Sequence, residues 1–281
     1  MRIVVDATGT SAVERLRRAR GFIFDMDGVL YRGDLQLPGV IDLINALEIR
    51  EIPYMLATNN SMATPESYVR KLAKMGIETR PESILTSATA TRDYLNENLP
   101  AGSKIFVIGM PALAEQLFER SPHTQVDVPA EDTAAVVMGL DVDFTYAKLK
   151  AGAMAVRNGA RFIATNTDAT LPTEEGLVPG AGSIVSALRT ASGQTPTVIG
   201  KPEPTTLLMS AKTMNLDPAD CVMIGDRLDT DILAGARAGM LTAMVLTGVS
   251  TRADIASAEA LPDLVFTDLT ALLAAFTGDP A

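Results

Sequence analysis

Short, wholly apolar runs that stop abruptly at polar or acidic residues recur along this 281-residue chain, and they leave few folds open. Phe22-Ile23-Phe24 ends at Asp25-Met26-Asp27-Gly28, and Tyr54-Met55-Leu56-Ala57 ends at Thr58-Asn59-Asn60-Ser61. Val198-Ile199 ends at Gly200-Lys201-Pro202, and Val222-Met223-Ile224 at Gly225-Asp226. Runs of that length without polar alternation read as strands buried on both faces, the habit of parallel sheets. Between them the spacing predicts helices, among them residues 40–50 through Val40, Leu43, Ile44 and Leu47, and residues 65–75 closed by Gly76. Strand–helix alternation with short loops predicts an α/β fold: a Rossmann-like, doubly wound, mostly parallel sheet. The pattern restarts after Ile84-Leu85-Thr86 and resumes from Thr197. The expected organisation is therefore a core of residues 1–85 and 196–281 with an inserted α/β domain of residues 86–195.

Composition narrows the function classes. With 47% hydrophobic residues the chain can bury two cores, and with 5% aromatics and no tryptophan their packing falls to aliphatic side chains and 13 methionines. A net charge of -10 argues against a nucleic-acid partner, so any anionic substrate has to be drawn by local cations. Cys221 is the only cysteine, which excludes an internal disulfide and argues against a zinc cluster; it is expected in the core. The start, Met1-Arg2-Ile3-Val4-Val5-Asp6, lacks an apolar signal core, and no stretch approaches the ~18 apolar residues of a membrane span. The expectation is a cytoplasmic protein without a membrane partner. The lone His123, beside Pro122, is expected on a surface loop.

The chemistry should sit at the strand ends, because ligands of open α/β sheets bind outside the strands' C-terminal edge. An i, i+2 pair continuing a strand points both side chains one way, so Asp25 and Asp27 would repel unless a cation or shared proton lies between them. The plainer alternative is an Asp-Gly turn. Thr58 and Asn59 can hydrogen-bond anionic oxygens, while Ser61 or Thr64 before Pro65 would cap the next helix. Lys201 suits a phosphate as a point charge, against the alternative of a solvated surface lysine. Asp226, Asp229 and Asp231 after an apolar strand offer oxygen ligands to a hard cation such as Mg²⁺, although Asp229 and Asp231 also suit a helix N-terminus.

Taken in order, the segments Phe-Asp-Met-Asp-Gly-Val-Leu (24–30), Ala-Thr-Asn-Asn-Ser (57–61), Gly-Lys-Pro (200–202) and Ile-Gly-Asp-Arg-Leu-Asp-Thr-Asp-Ile (224–232) resemble the haloacid dehalogenase-like superfamily, specifically its nitrophenylphosphatase or NagD-like branch. The long stretch between Thr58 and Lys201 is similar to that branch's large α/β cap, as are Ala-Thr-Asn-Thr-Asp (164–168) and Leu-Val-Pro-Gly-Ala-Gly-Ser (177–183). The resemblance implies a Mg²⁺-dependent phosphatase acting on a small phosphorylated metabolite through an aspartyl-phosphate. It implies Asp25 as nucleophile, Asp27 as general acid and base, and Thr58, Asn59 and Lys201 as phosphate ligands. It implies metal ligation by Asp25, the main-chain carbonyl of Asp27 and Asp226, with Asp231 supporting the metal shell. Asn166 and Asp168 become candidates for cap specificity, with an Asx-turn as their alternative, and pairing through the cap implies a homodimer. Competing readings are phosphotransfer to an acceptor other than water and a catalytically silent Mg²⁺-binding sensor domain.

Overall fold

The computed structural model describes residues 11–173 and 176–278 of the chain; the Met1–Asp6 segment read above for a signal core lies outside them. The chain divides into two compact units, one formed by residues up to 58, 65–85 and 201 onward, the other by residues 59–64 and 86–200.

The first unit is built on six parallel strands: β1 (Gly21–Phe24), β2 (Tyr54–Thr58), β3 (Ile84–Thr86), β4 (Cys221–Gly225), β5 (Leu241–Val245) and β6 (Leu264–Phe266), ordered β6-β5-β4-β1-β2-β3. Every residue of β1, β4 and β5 is buried, as the apolar runs of β1 and β4 require; in β5 the buried Thr242 hydroxyl donates to Asp263. In register, Phe24 faces Ile224 on one side and Leu56 on the other, so Asp25, Asp226 and Thr58 emerge at one edge of the sheet. The strand order reverses direction at β1, which makes that edge the topological switch point where open sheets bind ligands.

Helices α1 (Ala12–Arg18), α2 (Val40–Ile49), α3 (Pro65–Lys74), α4 (Thr205–Thr213), α5 (Leu233–Arg237) and α6 (Leu269–Thr277) complete the unit. Ser11 and Glu14 form a capping box at the start of α1, and Asp268 caps α6 by accepting from the Ala271 N–H. The buried stripe of α2 is Val40, Leu43, Ile44 and Leu47, the four apolar positions of the helical spacing. On the sheet, the Phe22 ring meets Phe276 of α6 edge-on at 5.1 Å and Phe24 meets Tyr54 at 6.2 Å. A small antiparallel hairpin, Tyr31–Arg32 with Leu35–Gln36, follows β1. After β4 the chain forms a π-turn, Leu228–Ile232, in which the Ile232 N–H reaches back to the Arg227 carbonyl before α5 starts.

The second unit has its own five-stranded parallel sheet, ordered Thr197–Val198, Arg161–Ala164, Thr133–Met138, Lys104–Ile108, Thr124–Val126. Its core gathers Ile108, Val136, Met138, Phe162, Ala164, Val185 and Leu188 beneath helices Tyr146–Arg157 and Ala181–Ser192. A hairpin of Thr170–Thr173 and Gly176–Pro179 lies outside that sheet.

Three expectations are corrected. The strand ending at Val198 does not rejoin the first sheet: Thr197 pairs with Ile163 and Val198 with Ala164, and the Ile199 and Gly200 N–H groups continue onto the Ala164 and Thr165 carbonyls. The change of unit therefore falls after Gly200 and not near residue 195. Residues 59–64 also go with the second unit, because the Asn59 carbonyl accepts from Ser87 Oγ at 2.6 Å and the Ser61 carbonyl from Gln116 Nε2 at 3.1 Å. His123 is buried, with neither ring nitrogen hydrogen-bonded.

Because Phe24 is fully buried between both sheet faces, Phe24→Ala is expected to destabilise the protein by about 3–5 kcal/mol. In urea unfolding the midpoint should fall with little change of slope; an unmoved midpoint would contradict this core.

Candidate active site

At the sheet's C-terminal edge the structure assembles three carboxylates around one ammonium. Ligand atoms of Asp25, Asp226 and Asp231 all lie within 4.8 Å of one another. Lys201 is buried there and donates to Asp25 Oδ1 at 2.6 Å, Asp231 Oδ1 at 2.7 Å and the Ala57 carbonyl at 3.1 Å. It is therefore no solvated surface lysine. Burial opposes its charge, but Asp231 and Asp25 outweigh burial and raise its pKa.

Each carboxylate is held by its own local geometry. The Asp25 N–H continues the ladder of β1 onto the Ile224 carbonyl at 2.9 Å, which fixes where its side chain leaves the sheet. Asp231 stands on the π-turn, and its Oδ2 accepts the N–H groups of Asp226 and Arg227 at 3.2 and 3.1 Å. Those bonds, with Lys201 on Oδ1, engage both its oxygens. Gly225 is required by this approach: a Cβ there would sit 2.1 Å from that of Asp231.

Asp226 is fixed by the loop around Gly248, which the motifs above do not include. Its Oδ2 accepts the Val249 N–H at 2.7 Å, and its carbonyl accepts the Ser250 N–H at 3.1 Å. A Cβ on Gly248 would fall 1.9 Å from Asp226 Oδ2, and one on Gly28, at φ +84°, would fall 2.6 Å from it. Thr247 Oγ1 donates to the Gly28 carbonyl at 2.6 Å, and Arg32 donates to the Thr247 carbonyl. The available signal was that Thr247-Gly248 is one more polar break directly after an apolar strand, β5.

Asp226 Oδ1 remains buried without a hydrogen-bond partner. Burial, then Asp231 and Asp25, push the Asp226 pKa up to about 8. Burial raises Asp25 to about 7, against the pull of Lys201. An excess of buried carboxylates over the single ammonium, with one oxygen orphaned, fits a hard divalent cation. Asp25 and Asp226 have the donor chemistry to hold it, whereas Asp231 is committed to orienting its neighbours.

The remaining expected residues sit differently. Asp27 is not paired with Asp25: its carboxylate lies outside the three-acid group, because the chain leaves the strand at Phe24 and bridges Asp27 to Tyr31. Its carboxyl is partly desolvated, which raises its pKa, while Lys71, the Gly28 N–H and Arg32 pull it down. Thr58 closes β2 directly after the Ala57 carbonyl that Lys201 holds. In the second unit, Asn59 Nδ2 donates to both Asp168 oxygens at 3.3 and 3.2 Å. Asn166 Nδ2 donates to the Asn59 carbonyl, and Asn166 Oδ1 accepts the Asp168 N–H, which is the Asx-turn alternative. Asp229 pairs with Arg227 at the surface.

Comparison with known proteins agrees with the placement of these motifs. A family model described as haloacid dehalogenase-like hydrolase matches residues 22–120, and one described as HAD-hydrolase-like matches residues 198–272. An acid sugar phosphatase of Staphylococcus aureus (strain USA300) is 39% identical over 259 residues, 92% of this chain and 98% of that protein. The crystal structure of a 4-nitrophenylphosphatase from Thermotoga maritima superposes with a TM-score of 0.85 at 35% identity, covering 93% of this chain and 99% of that one. A glycerol phosphate phosphatase from Mycobacterium tuberculosis, solved in complex with magnesium, gives a TM-score of 0.83 at 32% identity, covering 92% and 77%.

The raised carboxylate pKa values fix the sign of a pH dependence. At pH 5 and above the unfolded chain has released the protons of Asp25 and Asp226, while the cation-free folded protein gives them up only near pH 7 and 8, so stability falls as pH rises from 5 to 8. Chelator-treated protein is expected to lose melting temperature steadily across that window, and Asp226→Asn should flatten the slope. A melting temperature that rises from pH 5 to 8 would overturn this description of the acids.

Proposed function

This chain belongs to the haloacid dehalogenase-like hydrolases, and from that membership we propose that it is a phosphoric monoester hydrolase working on small phosphorylated metabolites with Asp25 as its nucleophile. The observation that carries the reading is the buried Lys201 ammonium, set 2.6 Å from Asp25 Oδ1 at the switch point of the sheet. A carboxylate desolvated at that edge is a poor nucleophile once protonated, and Lys201 favours its ionised form.

In the first step an Asp25 oxygen bonds to phosphorus as the ester oxygen–phosphorus bond breaks, and Asp27 gives its proton to the departing alkoxide. In the second step a water attacks the phosphorus of the aspartyl-phosphate, Asp27 takes the water's proton, and phosphate leaves with Asp25 regenerated. A raised pKa suits Asp27 to arriving protonated. Lys201 and the Thr58 hydroxyl would hold phosphoryl oxygens as charge redistributes. The resident cation, magnesium in this reading, would be held by Asp25, Asp226 and the Asp27 carbonyl and supplies positive charge that offsets repulsion between nucleophile and phosphate. Asp231 is a positioning residue, bonded at once to Lys201 and to the Asp226 main chain.

Sugar phosphates, glycerol phosphate and 4-nitrophenyl phosphate, suggested by the relatives' names, form the first substrate panel. Phosphate release in the presence of Mg²⁺ is expected from wild type, with loss of at least about 10³-fold in kcat for Asp25→Asn and loss on chelation. Release that survives both changes would overturn the proposal.

Asp27→Asn separates the two proton transfers. It should slow glycerol phosphate hydrolysis by roughly 10²–10⁴-fold, because an alkoxide needs its proton. With 4-nitrophenyl phosphate, whose leaving group departs unprotonated, the first turnover should survive and later turnovers stall, giving a burst of nitrophenol. Equal losses on both substrates in the first turnover would remove Asp27 from the acid role.

A further inference from the structure

The loop that follows β5, residues 247–250, supplies no group to the chemistry above, yet it grips Asp226. The Val249 N–H donates to Asp226 Oδ2 at 2.7 Å, the Ser250 N–H donates to the Asp226 carbonyl at 3.1 Å, and Gly248 passes close over the carboxylate between them. Packing does little to hold this loop in place: Val249 is 64% exposed, and Thr247, Gly248 and Ser250 are only partly buried. Hydrogen bonds at its two ends must therefore do so. At the far end Ser250 Oγ accepts the Leu228 N–H at 3.1 Å, where the π-turn begins. The near end is tied by a side chain that the mechanism leaves unused.

That side chain is Arg32. Its Nη2 donates to the Thr247 carbonyl, and the Thr247 hydroxyl donates to the Gly28 carbonyl at 2.6 Å. The hairpin after β1 sets Arg32 in place: Tyr31 pairs with Gln36 and Arg32 with Leu35 across a two-residue turn, in which Gly33 takes φ +60°. Tyr31 is buried and bridges to Asp27, and its carbonyl accepts the Gly28 N–H at 2.8 Å. Alternation along the strand then turns Arg32 outward, where it is exposed. The bonds close a circuit, from Gly28 to Tyr31, from Arg32 to Thr247, and from Thr247 back to Gly28. One end of the loop that holds Asp226 is thus clipped to the turn that follows the strand of Asp25.

Resting on the cation site of the phosphatase reading, we propose that Arg32 is a positioning residue for the divalent cation: its bond to the Thr247 carbonyl, with the Thr247 hydroxyl on Gly28, pins the 247–250 loop so that Asp226 presents its unpartnered Oδ1 to the ion. Arg32 acts through the loop and not on the reacting atoms. Loss of an outer partner that orients a metal ligand weakens metal binding by about 10–100-fold, and the lower end of that range is expected where part of the clip remains. Electrostatics alone gives the opposite sign, because removing a cation leaves an acidic edge more negative and draws Mg²⁺ more strongly. The direction of the change separates positioning from charge.

Isothermal titration calorimetry of chelator-treated protein with MgCl₂ at fixed pH tests this without turnover. Arg32→Met and Thr247→Val should each raise the Mg²⁺ dissociation constant about tenfold. Arg32→Lys keeps a charged donor and Thr247→Ser keeps the hydroxyl, so both should stay within about threefold of wild type. Melting temperatures of the same cation-free proteins report how far each variant is destabilised. A variant pair that melts lower yet binds Mg²⁺ with wild-type affinity has lost only structural support, which overturns the proposal; tighter binding in Arg32→Met overturns it as well. If Arg32→Met does not fold, the two Thr247 variants decide: equal affinities overturn the proposal, and weaker binding in Thr247→Val alone supports it. A wild type that binds no Mg²⁺ overturns the proposal together with the cation site of the phosphatase reading, whereas a wild type that binds it no better than the variants do overturns the proposal alone.

Discussion

The bond on which the rest of the first unit's edge depends is the one between Lys201 and the two aspartates it separates. Its ammonium reaches Asp25 at the end of β1, Asp231 on the π-turn after β4 and the Ala57 carbonyl near the end of β2, so one side chain ties three neighbouring strand ends. A charged ammonium is buried at lower cost when carboxylates compensate it, and two buried carboxylates can be brought this close when a cation or a proton lies between them. Removing either side leaves an uncompensated buried charge, which in general costs about 3–5 kcal/mol. The constellation is thereby a condition of the fold as well as of the chemistry.

Asp226 shows the complementary arrangement. Its main chain is oriented by Asp231, one carboxylate oxygen is held by the Val249 N–H, and glycines at 28 and 248 allow the turn after β1 and that same 248–249 loop to close against it. The second oxygen is left without a partner in a buried place. Three separate segments thus converge to desolvate a carboxylate and then withhold one hydrogen bond. In a folded protein that expense is tolerated where another ligand supplies the missing interaction, and an oxygen-preferring cation meets it.

What was legible in the sequence followed from burial. Strands enclosed on both faces have no polar alternation, so β1, β2, β4 and β5 stood out as apolar runs, and their parallel arrangement placed their polar ends together. Asp25 and Asp226 could be proposed as neighbours on that ground; Lys201 and Asp231 follow only from the order of the motifs, because the strand before Lys201 belongs to the other sheet and Asp231 lies beyond its strand end. Val198-Ile199 could not be assigned to a sheet, because its pairing with Ile163 and Ala164 is non-local and the same apolar dipeptide would serve either sheet. Asn59 was assigned from its neighbour Thr58, yet its amide turns to Asp168, a partner more than a hundred residues away in sequence. The requirement for Gly248 comes from the Asp226 carboxylate that crosses it, a partner distant in sequence. His123 carried a turn signal from Pro122 that burial in the second unit overrode.

The separation of Asp27 from the acid cluster gives two aspartates two residues apart different surroundings. Had both continued the strand, they would share one environment, and a proton on one would merely be borrowed by the other. The chain instead leaves the sheet after Phe24, Gly28 takes a left-handed turn, and Asp27 faces Lys71 and Arg32 while Asp25 faces Lys201 and Asp231. Asp25 is desolvated beside the Lys201 ammonium, while Asp27 is exposed at the rim near the surface cations Lys71 and Arg32. A glycine and one turn of chain thus give a repeated side chain two different electrostatic surroundings.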